Sequence, residues 1–252
     1  MQILNPLFIA FSTYSRIPAP QVEWTDKNRR YVMCCFPLIG AVVGLALWLW
    51  LWICDRLSLG SLLRGCVGGA LPLLITGGIH MDGFMDTCDA MASWQTRERR
   101  LEILKDSRVG AFAVIGCCTY SLLYAAVLSE AALPDAPLLL CAFVLSRALS
   151  AWLITVLKSA RPGGMLDDFA RTAAVRKVTV SGAIYAVCCA AVWLLLGKWL
   201  GAACIAAAAL CVLAYRHMAY RHFGGVTGDL AGWFLQITEL VLTAVIVLGG
   251  KL

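Results

Sequence analysis

Three aspartates lie within eight positions of the stretch GGIHMDGFMDTCDAM, which covers residues 77–91. Asp82, Asp86 and Asp89 are spaced i, i+4 and i+7, and a helix would place them on one face. Carboxylates gathered there repel one another unless a cation neutralises them. Carboxylate oxygens suit Mg²⁺ and Mn²⁺, which proteins often share with the phosphates of a substrate. The spacing therefore predicts a magnesium site, with a solvated acidic face of a loop helix as the alternative.

His80 is the nearest imidazole to this acidic cluster. It is a candidate catalytic acid or metal ligand, and a polar neighbour with satisfied hydrogen bonds is the alternative. Cys88 points away from the aspartate face of such a helix, so a site for a soft metal is not expected.

A second stretch, KDSRVGAF at residues 105–112, leads into the next apolar run. Lys105, Arg108 and the backbone amides near Gly110 form a candidate phosphate site at a helix N-terminus. Asp106 is either a further ligand or a helix cap. Basic residues are also common at the cytoplasmic boundary of a membrane span, so anchoring is the alternative.

A third stretch, RHFGGVTGDLAG at residues 221–232, contains the sequence GGVTGD. This sequence repeats the spacing of GGIHMD at 77–82 and of GGMLDD at 163–168. Because glycine pairs let a backbone approach a ligand closely, the three turns are interpreted as parts of one pocket. With 22 glycines in the chain, a chance recurrence is the alternative.

Two charged residues lie inside apolar runs. Arg147 is near the middle of its run, where it could reach a phosphate or balance a carboxylate. A structural ion pair is the alternative. Glu239 lies nearer the opposite side, and no chemistry is expected of it.

Hydrophobic residues make up 61% of the 252 residues and charged residues 14%, with a mean hydropathy of +0.79. A soluble domain averages about 45–50% apolar and 25% charged residues. The apolar runs are about 17 to 23 residues long, enough to cross about 30 Å of hydrocarbon as helices, whereas barrel strands alternate over about ten residues. The composition predicts an all-α polytopic membrane protein with a single domain, residues 1–252. The twelve cysteines fall mostly in apolar runs and are interpreted as small apolar residues.

Seven membrane spans are predicted. The segment 3–14 is apolar but too short to cross a membrane, which predicts an additional interfacial or re-entrant helix. The N-terminus has no basic region and no small-residue cleavage site, so a removable signal peptide is not expected. The predicted spans are 32–54, 61–79, 109–128, 138–157, 179–197, 199–215 and 230–249.

The basic residues are distributed unevenly between the connections, in a chain with a net charge of +6. By the positive-inside rule, the basic connections face the cytoplasm, which places the N-terminus there and the C-terminus on the far side. The far-side turns contain only Arg56, Arg64, Lys198 and Lys251. The cytoplasmic set is Arg16, Lys27, Arg29, Arg30, Arg97, Arg99, Arg100, Lys105, Arg108, Lys158, Arg161, Arg171, Arg176, Lys177, Arg216 and Arg221.

The residues together predict a pocket at the cytoplasmic end of a helical bundle. Aspartates would hold Mg²⁺ there, and arginines and lysines would hold phosphates. This combination is typical of phosphoryl-group transfer, in which positioning and charge neutralisation supply most of the catalysis.

The motifs GGIHMDGFMDTCDA, KDSRVGAFA and GGVTGD, in this order, resemble the signatures of the cobalamin (5′-phosphate) synthases, or adenosylcobinamide-GDP ribazoletransferases. FSTYSRIPAP, followed by FPLIGAVVG at residues 36–44, resembles the opening of that family. The resemblance covers nearly the whole chain. It implies that a ribose hydroxyl of α-ribazole, or of its 5′-phosphate, attacks the corrinoid-side phosphorus of adenosylcobinamide-GDP, and that GMP leaves.

The resemblance also implies the roles of individual residues, with Mg²⁺ as the metal. Asp82, Asp86 and Asp89 would bind the metal. As a separate hypothesis on mechanism, one of the aspartates near the metal accepts the ribose proton, with Asp229 or Asp89 as the candidate. Lys105, Asp106 and Arg108 would line the pyrophosphate region, with Gly224, Gly225, Thr227 and Asp229 opposite. The implied location is the bacterial cytoplasmic (inner) membrane, with the two substrates and membrane lipids as partners and no nucleic acid. The oligomeric state, including a homo-oligomer, stays open.

Two other functions are considered. A CDP-alcohol-type phosphotransferase of lipid synthesis has a related acidic motif, but this chain lacks its alanine–arginine pair and its final D-x-x-x-D. A secondary transporter would place its coupling acids near the membrane midplane, whereas these aspartates cluster at one boundary.

Overall fold

The computed structural model describes residues 4–161, 163 and 171–251. Within these ranges the chain is helical, and the only β-type pairing is an isolated bridge between Ser159 and Val226. The predicted all-α fold is therefore confirmed. In chain order, the helices are α1 (Asn5–Tyr14), α2 (Asp26–Arg29), α3 (Val32–Arg56), α4 (Ser61–Thr76), α5 (Ile79–Ala92), α6 (Arg97–Ile103), α7 (Ala111–Ser129), α8 (Ala136–Val156), α9 (Val175–Gly197), α10 (Trp199–His222) and α11 (Gly228–Gly249).

Among the described residues, six helices are long and apolar enough to cross a membrane, namely α3, α7, α8, α9, α10 and α11. The pair α4 and α5 satisfies the same criteria only in combination, and the two helices are bent by 99°. If this bent pair is counted as one span, the described residues contain seven candidate spans, in agreement with the prediction of about seven. The predicted end of the second span at residue 79 was wrong, because α4 ends at Thr76.

The bend between α4 and α5 is made by a glycine pair. Gly77 and Gly78 have φ values of +67° and +78°, in the left-handed region that glycine adopts without a steric penalty. A Cβ atom on Gly77 would also lie 2.5 Å from Nε of Arg16. The backbone of Arg16 is attached to the same bend, since its amide donates to the carbonyl of Ile75 at 2.7 Å. Helix α5 consequently turns away from the direction of α4.

The connections with many basic residues and those with few lie at opposite ends of the bundle, as the charge pattern predicted. At one end, the side chain of Arg64 donates to the carbonyl of Ala131 at 3.1 Å, and Lys251 pairs with Glu130. These residues belong to the turns with few basic residues. Because the helices alternate in direction, the basic connections lie at the other end, where α5 also lies.

Helix α1 has ten residues and is too short to span a bilayer, as predicted for this segment. Its buried residues Ile9 and Ala10 pack with Val32 and Phe36, which lie at the beginning of α3. The helix therefore covers the basic end of the bundle and places Tyr14, its last residue, beside α3.

Candidate active site

The site is built where α5 crosses the beginning of α11. A Cβ atom on Gly83 would lie 2.8 Å from the Cα atom of Asp229, and one on Gly232 would lie 2.8 Å from the carbonyl oxygen of His80. Such distances are far below van der Waals contact, so only glycine permits the two backbones to approach this closely. The crossing brings Asp82, on α5, next to Asp229, in the first turn of α11.

A cavity of about 300 Å³ opens at this crossing. Its polar side is formed by Asp82 and His80 on α5, by Ser159 and Arg161 after α8, and by Asp229. Three residues predicted to take part in the chemistry thus line one space, namely Asp82, His80 and Asp229. The other lining residues are Tyr14, Met33, Phe36, Ile79, Gly83, Ser150, Ile154, Thr227, Gly228, Ala231 and Gly232.

The carboxylates of the crossing influence one another. Burial, and then the negative charges of Asp82 and Asp229, raise the pKa of Asp86 to about 7. Arg161 acts in the opposite direction on the same carboxyl. The cluster therefore holds more negative charge than its own arginine balances, and a bound cation would stabilise it.

Arg161 is the cation that faces these acids. Its Nη1 atom lies 3.5 Å from Oδ2 of Asp229, and its Nη2 atom donates to the carbonyl of Leu101 at 2.7 Å. The second bond ties the arginine to α6 and fixes the direction of the guanidinium. Sequence reasoning placed Arg161 only among the cytoplasmic basic residues, since nothing in its spacing separates it from Lys158 or Arg171.

Asp89 has a different environment from the other two aspartates of α5. Its carboxylate accepts hydrogen bonds from the amides of Gly110 at 2.7 Å and of Ala113 at 2.8 Å. Both oxygens are therefore directed at the N-terminus of α7, whose free amides and dipole stabilise a negative charge. The predicted phosphate site at this N-terminus is thus filled by a carboxylate of the chain itself.

The three-carboxylate metal site is not assembled by the described part of the chain. In that part, no three His, Cys, Asp or Glu side chains are grouped in a way that could hold a metal ion. Mg²⁺ is usually held by only one or two carboxylates together with substrate phosphates and water. The excess negative charge around Asp82 and Asp86 fits such a partial site, which a diphosphate would complete.

The glycine pair of the third motif supports a close contact between loops. The amide of Val226 donates to the carbonyl of Lys158 at 2.8 Å, and the amide of Ala160 donates back to Val226 at 2.9 Å. Gly224 has a φ of +71° and leaves room for the guanidinium of Arg97, which a Cβ atom would overlap. Gly224 and Gly225 therefore shape the loop that positions Arg161, and they do not line the cavity.

Thr227 lines the cavity and also begins α11. Its hydroxyl accepts a hydrogen bond from the amide of Leu230 at 3.2 Å, the usual geometry of a helix cap. It also lies 3.4 Å from the carboxylate of Asp229. The glycine-pair motif at 163–168 was also predicted to belong to the pocket. Only its first residue, Gly163, is among the described residues, so this prediction lies outside them.

Lys105 and Arg108 lie outside the cavity lining. Arg108 is 87% exposed and pairs with Asp106 at 2.7 Å between Nη2 and Oδ2. This hydrogen bonding lowers the pKa of the Asp106 carboxyl to about 2. The two basic side chains predicted to line the pyrophosphate region therefore do not belong to the cavity at the α5–α11 crossing.

Arg147 is also outside the cavity. It is completely buried, and its Nη1 atom bonds to Oε1 of Glu239 at 2.5 Å and to the carbonyl of Phe143 at 3.1 Å. The structure thus shows the structural ion pair that was the alternative for Arg147, and it corrects the prediction of a phosphate ligand. The pair joins α8 to α11 within the bundle.

His80 is 7% exposed and lies against two aromatic rings. Its ring centroid is 6.2 Å from that of Tyr14, with nearly parallel planes, and 5.5 Å from that of Phe36. Its Nε2 atom is buried and has no hydrogen-bond partner within the described ranges. Tyr14 and Phe36 lie within the sequence motifs, but no role could be predicted for them, because aromatic residues in an apolar run carry no signal of their own.

The chain matches the model of the cobalamin-5-phosphate synthase family over residues 6–247. An adenosylcobinamide-GDP ribazoletransferase of Lachnoclostridium phytofermentans is 44% identical, over 98% of this chain and 95% of that protein. A protein of the same name from Desulfitobacterium hafniense is 33% identical, over 96% of this chain and 96% of that protein. Another, from Clostridium botulinum, is 30% identical, over 95% of each chain. No solved structure matches the chain.

The family match and the relatives confirm the resemblance read from the sequence motifs, and they favour neither the lipid phosphotransferase nor the transporter. Both comparisons extend over nearly the entire sequence, including the residues of the α5–α11 crossing. The chain therefore belongs to the cobalamin-5-phosphate synthase family.

Proposed function

We propose that this chain transfers the cobinamide-phosphate group of adenosylcobinamide-GDP to α-ribazole or to its 5′-phosphate. GMP is the leaving product, and the reaction completes the nucleotide loop of the corrinoid. The family and the names of the relatives support this reaction. The structural observation that carries the proposal is the convergence of Asp82, Asp229 and Arg161 on one cavity.

The reaction exchanges one phosphorus–oxygen bond for another. A ribose hydroxyl oxygen forms a bond to the corrinoid-side phosphorus, and the bond from that phosphorus to the bridging oxygen breaks. The bridging oxygen leaves with GMP, and the ribose proton passes to a carboxylate. The protein must therefore supply a proton acceptor on one side of the phosphorus and positive charge around the phosphate oxygens.

Asp229 is the proposed proton acceptor. Its carboxylate lines the cavity and is held between the guanidinium of Arg161 and the hydroxyl of Thr227. The sequence motifs offered Asp89 as a second candidate. The carboxylate of Asp89 accepts hydrogen bonds from two backbone amides at the beginning of α7. Asp229 is therefore the better-placed proton acceptor.

Arg161 is the proposed phosphate ligand. A guanidinium presents several N–H donors in one plane, which matches the oxygens of a phosphate. Arg161 already has one hydrogen bond to a backbone carbonyl, so little rotational freedom is lost when the substrate binds. Its charge would stabilise the oxygens as negative charge moves toward the leaving GMP.

Asp82 and Asp86 are the proposed ligands of Mg²⁺, which when bound would neutralise the charge of the diphosphate. They lie one helical turn apart on α5, so both side chains reach the same side of the helix. Asp82 extends into the cavity from this position.

The site is proposed to face the cytoplasm of the bacterial inner membrane. The cavity lies at the end of the bundle where sixteen basic residues of the connections are found, and positive connections stay on the cytoplasmic side. Both substrates are polar at their reacting groups, and this orientation lets them reach the cavity from water.

The proposal is tested with purified protein in detergent, given adenosylcobinamide-GDP, α-ribazole and Mg²⁺. We expect release of GMP that requires both substrates, that stops when EDTA removes divalent ions and that returns with added Mg²⁺. Asp82→Asn should abolish turnover and leave the protein folded. Asp55→Asn, at the opposite end of the bundle, is the control and should keep full activity. Absence of GMP release by folded wild-type protein would overturn the proposal.

A further inference from the structure

Part of the cavity lining is aromatic. Tyr14 ends α1, Phe36 lies near the beginning of α3, and His80 belongs to the first turn of α5. The rings touch one another, with centroids 4.7 Å apart for Tyr14 and Phe36 and 5.5 Å apart for Phe36 and His80. Three separate elements thus bring their rings together. We call the cluster of Tyr14, Phe36 and His80 the aromatic wall.

The surroundings of the aromatic wall are apolar. Met33, Ile79 and Ile154 line the same cavity, and Met33 and Phe36 are only 2% and 3% exposed. A cavity lined by aromatic and apolar side chains together with carboxylates and an arginine suits a ligand that combines an apolar group with a polar one. Such a ligand has a flat ring system at one end and a hydroxyl or phosphate group at the other.

We propose that the aromatic wall binds the base of the acceptor nucleoside, a methyl-substituted benzimidazole in ribazole. This inference rests on the proposed function and assigns the acceptor to one part of the cavity. His80 and Asp82 are two residues apart on α5 and line the same space. A nucleoside whose ring contacts His80 would therefore present its ribose hydroxyl to the carboxylates of Asp82 and Asp229.

The other aromatic base in the reaction, guanine, fits the aromatic wall less well. The edges of guanine have a carbonyl group, an amino group and ring nitrogens, each of which loses hydrogen bonds to water on entering an apolar site. A benzimidazole nucleoside has one free ring nitrogen, and its methyl groups gain from contact with side chains such as Met33 and Ile154. The guanine is thereby assigned to the charged part of the site near Arg161.

The first test uses variants of the wall that leave the carboxylates in place. Tyr14→Leu removes one ring, and Ile79→Trp fills part of the apolar side from a residue that is 42% exposed and therefore tolerant of change. We expect each to raise the KM for α-ribazole about tenfold, the loss that follows from one aromatic contact, without changing the KM for adenosylcobinamide-GDP. Tyr14→Phe keeps the ring and should behave as the wild type.

Tyr31→Leu is the matched control, because Tyr31 lies at the same end of the bundle but outside the cavity lining. It should change neither KM. A rise in the KM for adenosylcobinamide-GDP alone, in Tyr14→Leu or Ile79→Trp, would assign the wall to guanine and overturn the inference. Unchanged KM values for both substrates would also overturn it, since the wall would then contact neither base.

A second test uses the wild-type protein with an altered acceptor. A ribonucleoside of benzimidazole without methyl groups should bind more weakly than α-ribazole in calorimetric titrations, and Ile79→Trp should reduce this difference. Equal binding of the two nucleosides by the wild type would contradict the apolar contact. A wild-type protein that releases no GMP would refute the proposed function, whereas an active protein with equal nucleoside affinities would refute only this inference.

Discussion

Arg161 and Asp229 form an ion pair in the lining of the cavity, with 3.5 Å between Nη1 and Oδ2. The pair connects the loop after α8 with the first turn of α11, and the second nitrogen of the guanidinium holds α6 through Leu101. Three elements that are far apart in sequence are joined by one side chain. The position of this arginine beside a carboxylate and an open cavity is the basis of the first prediction.

Replacing Arg161 by alanine should lower kcat/KM for adenosylcobinamide-GDP by about 10²–10³-fold, because a positioned positive charge near the phosphates is lost. The rate of GMP release measures the effect. Arg99→Ala is the control, since Arg99 is 61% exposed and pairs with Glu102 on the surface, where ion pairs contribute little. Equal losses of kcat/KM in the two variants would show that Arg161 contributes only to the overall positive charge at this end of the bundle.

Replacing Gly83 by alanine should reduce both stability and turnover. The new methyl group would lie 2.8 Å from the backbone of Asp229, and relief of this overlap requires α5 and α11 to separate. Overpacking of this kind costs about 1–3 kcal/mol. Gly69→Ala is the matched control, because its methyl group would meet α7 at 3.7 Å, an ordinary contact distance. Thermal unfolding in detergent that is identical for both variants would contradict the close crossing.

Replacing Asp89 by alanine should mainly destabilise the protein. The amides of Gly110 and Ala113 would lose a charged acceptor, a loss of about 2 kcal/mol, or roughly 4–8 °C in Tm for a chain of this size. Asp106→Ala, which removes a carboxylate paired with the exposed Arg108 in the loop before α7, should change Tm much less. An unchanged Tm together with a greater requirement for Mg²⁺ would instead support Asp89 as the metal ligand predicted from its spacing.

Replacing Arg147 by methionine should destabilise the protein by about 3–5 kcal/mol, because the carboxylate of Glu239 would stay buried without its partner. The double variant Arg147→Met/Glu239→Leu should recover most of this loss and keep activity. Thermal unfolding and GMP release are measured in parallel. A stable but inactive double variant would instead support the phosphate-binding role that was predicted from the sequence for Arg147.

The spans could be predicted because hydrophobic runs and charge asymmetry act over whole helices. The predicted span 109–128 agrees with Ala111–Ser129, and the start predicted for 199–215 agrees with Trp199, the first residue of α10. The end of α4 was missed by three residues. Hydropathy continues through Gly77 and Gly78, and only their left-handed φ values break the helix.

The site could be predicted only where a residue type is rare in its surroundings. Aspartates next to an apolar run are unusual, and Asp82 and Asp229 indeed meet at one cavity. Spacing on a helix could not show that Asp89 faces α7, because the direction of a neighbouring helix is not written in the local sequence. Arg161 and Tyr14 were missed for the same reason, since their roles depend on contacts between distant segments.

The bend after α4 has a consequence for the surrounding lipid. Sixteen helical residues rise about 24 Å, whereas the hydrocarbon layer is about 30 Å thick. A crossing made by α4 alone would therefore require a locally thinner bilayer, or would leave the glycine bend several ångströms below the headgroups, and either adjustment costs fractions of a kcal/mol per ångström of mismatch. The acyl-chain length of the host bilayer is thereby coupled to the depth at which α5 holds its carboxylates.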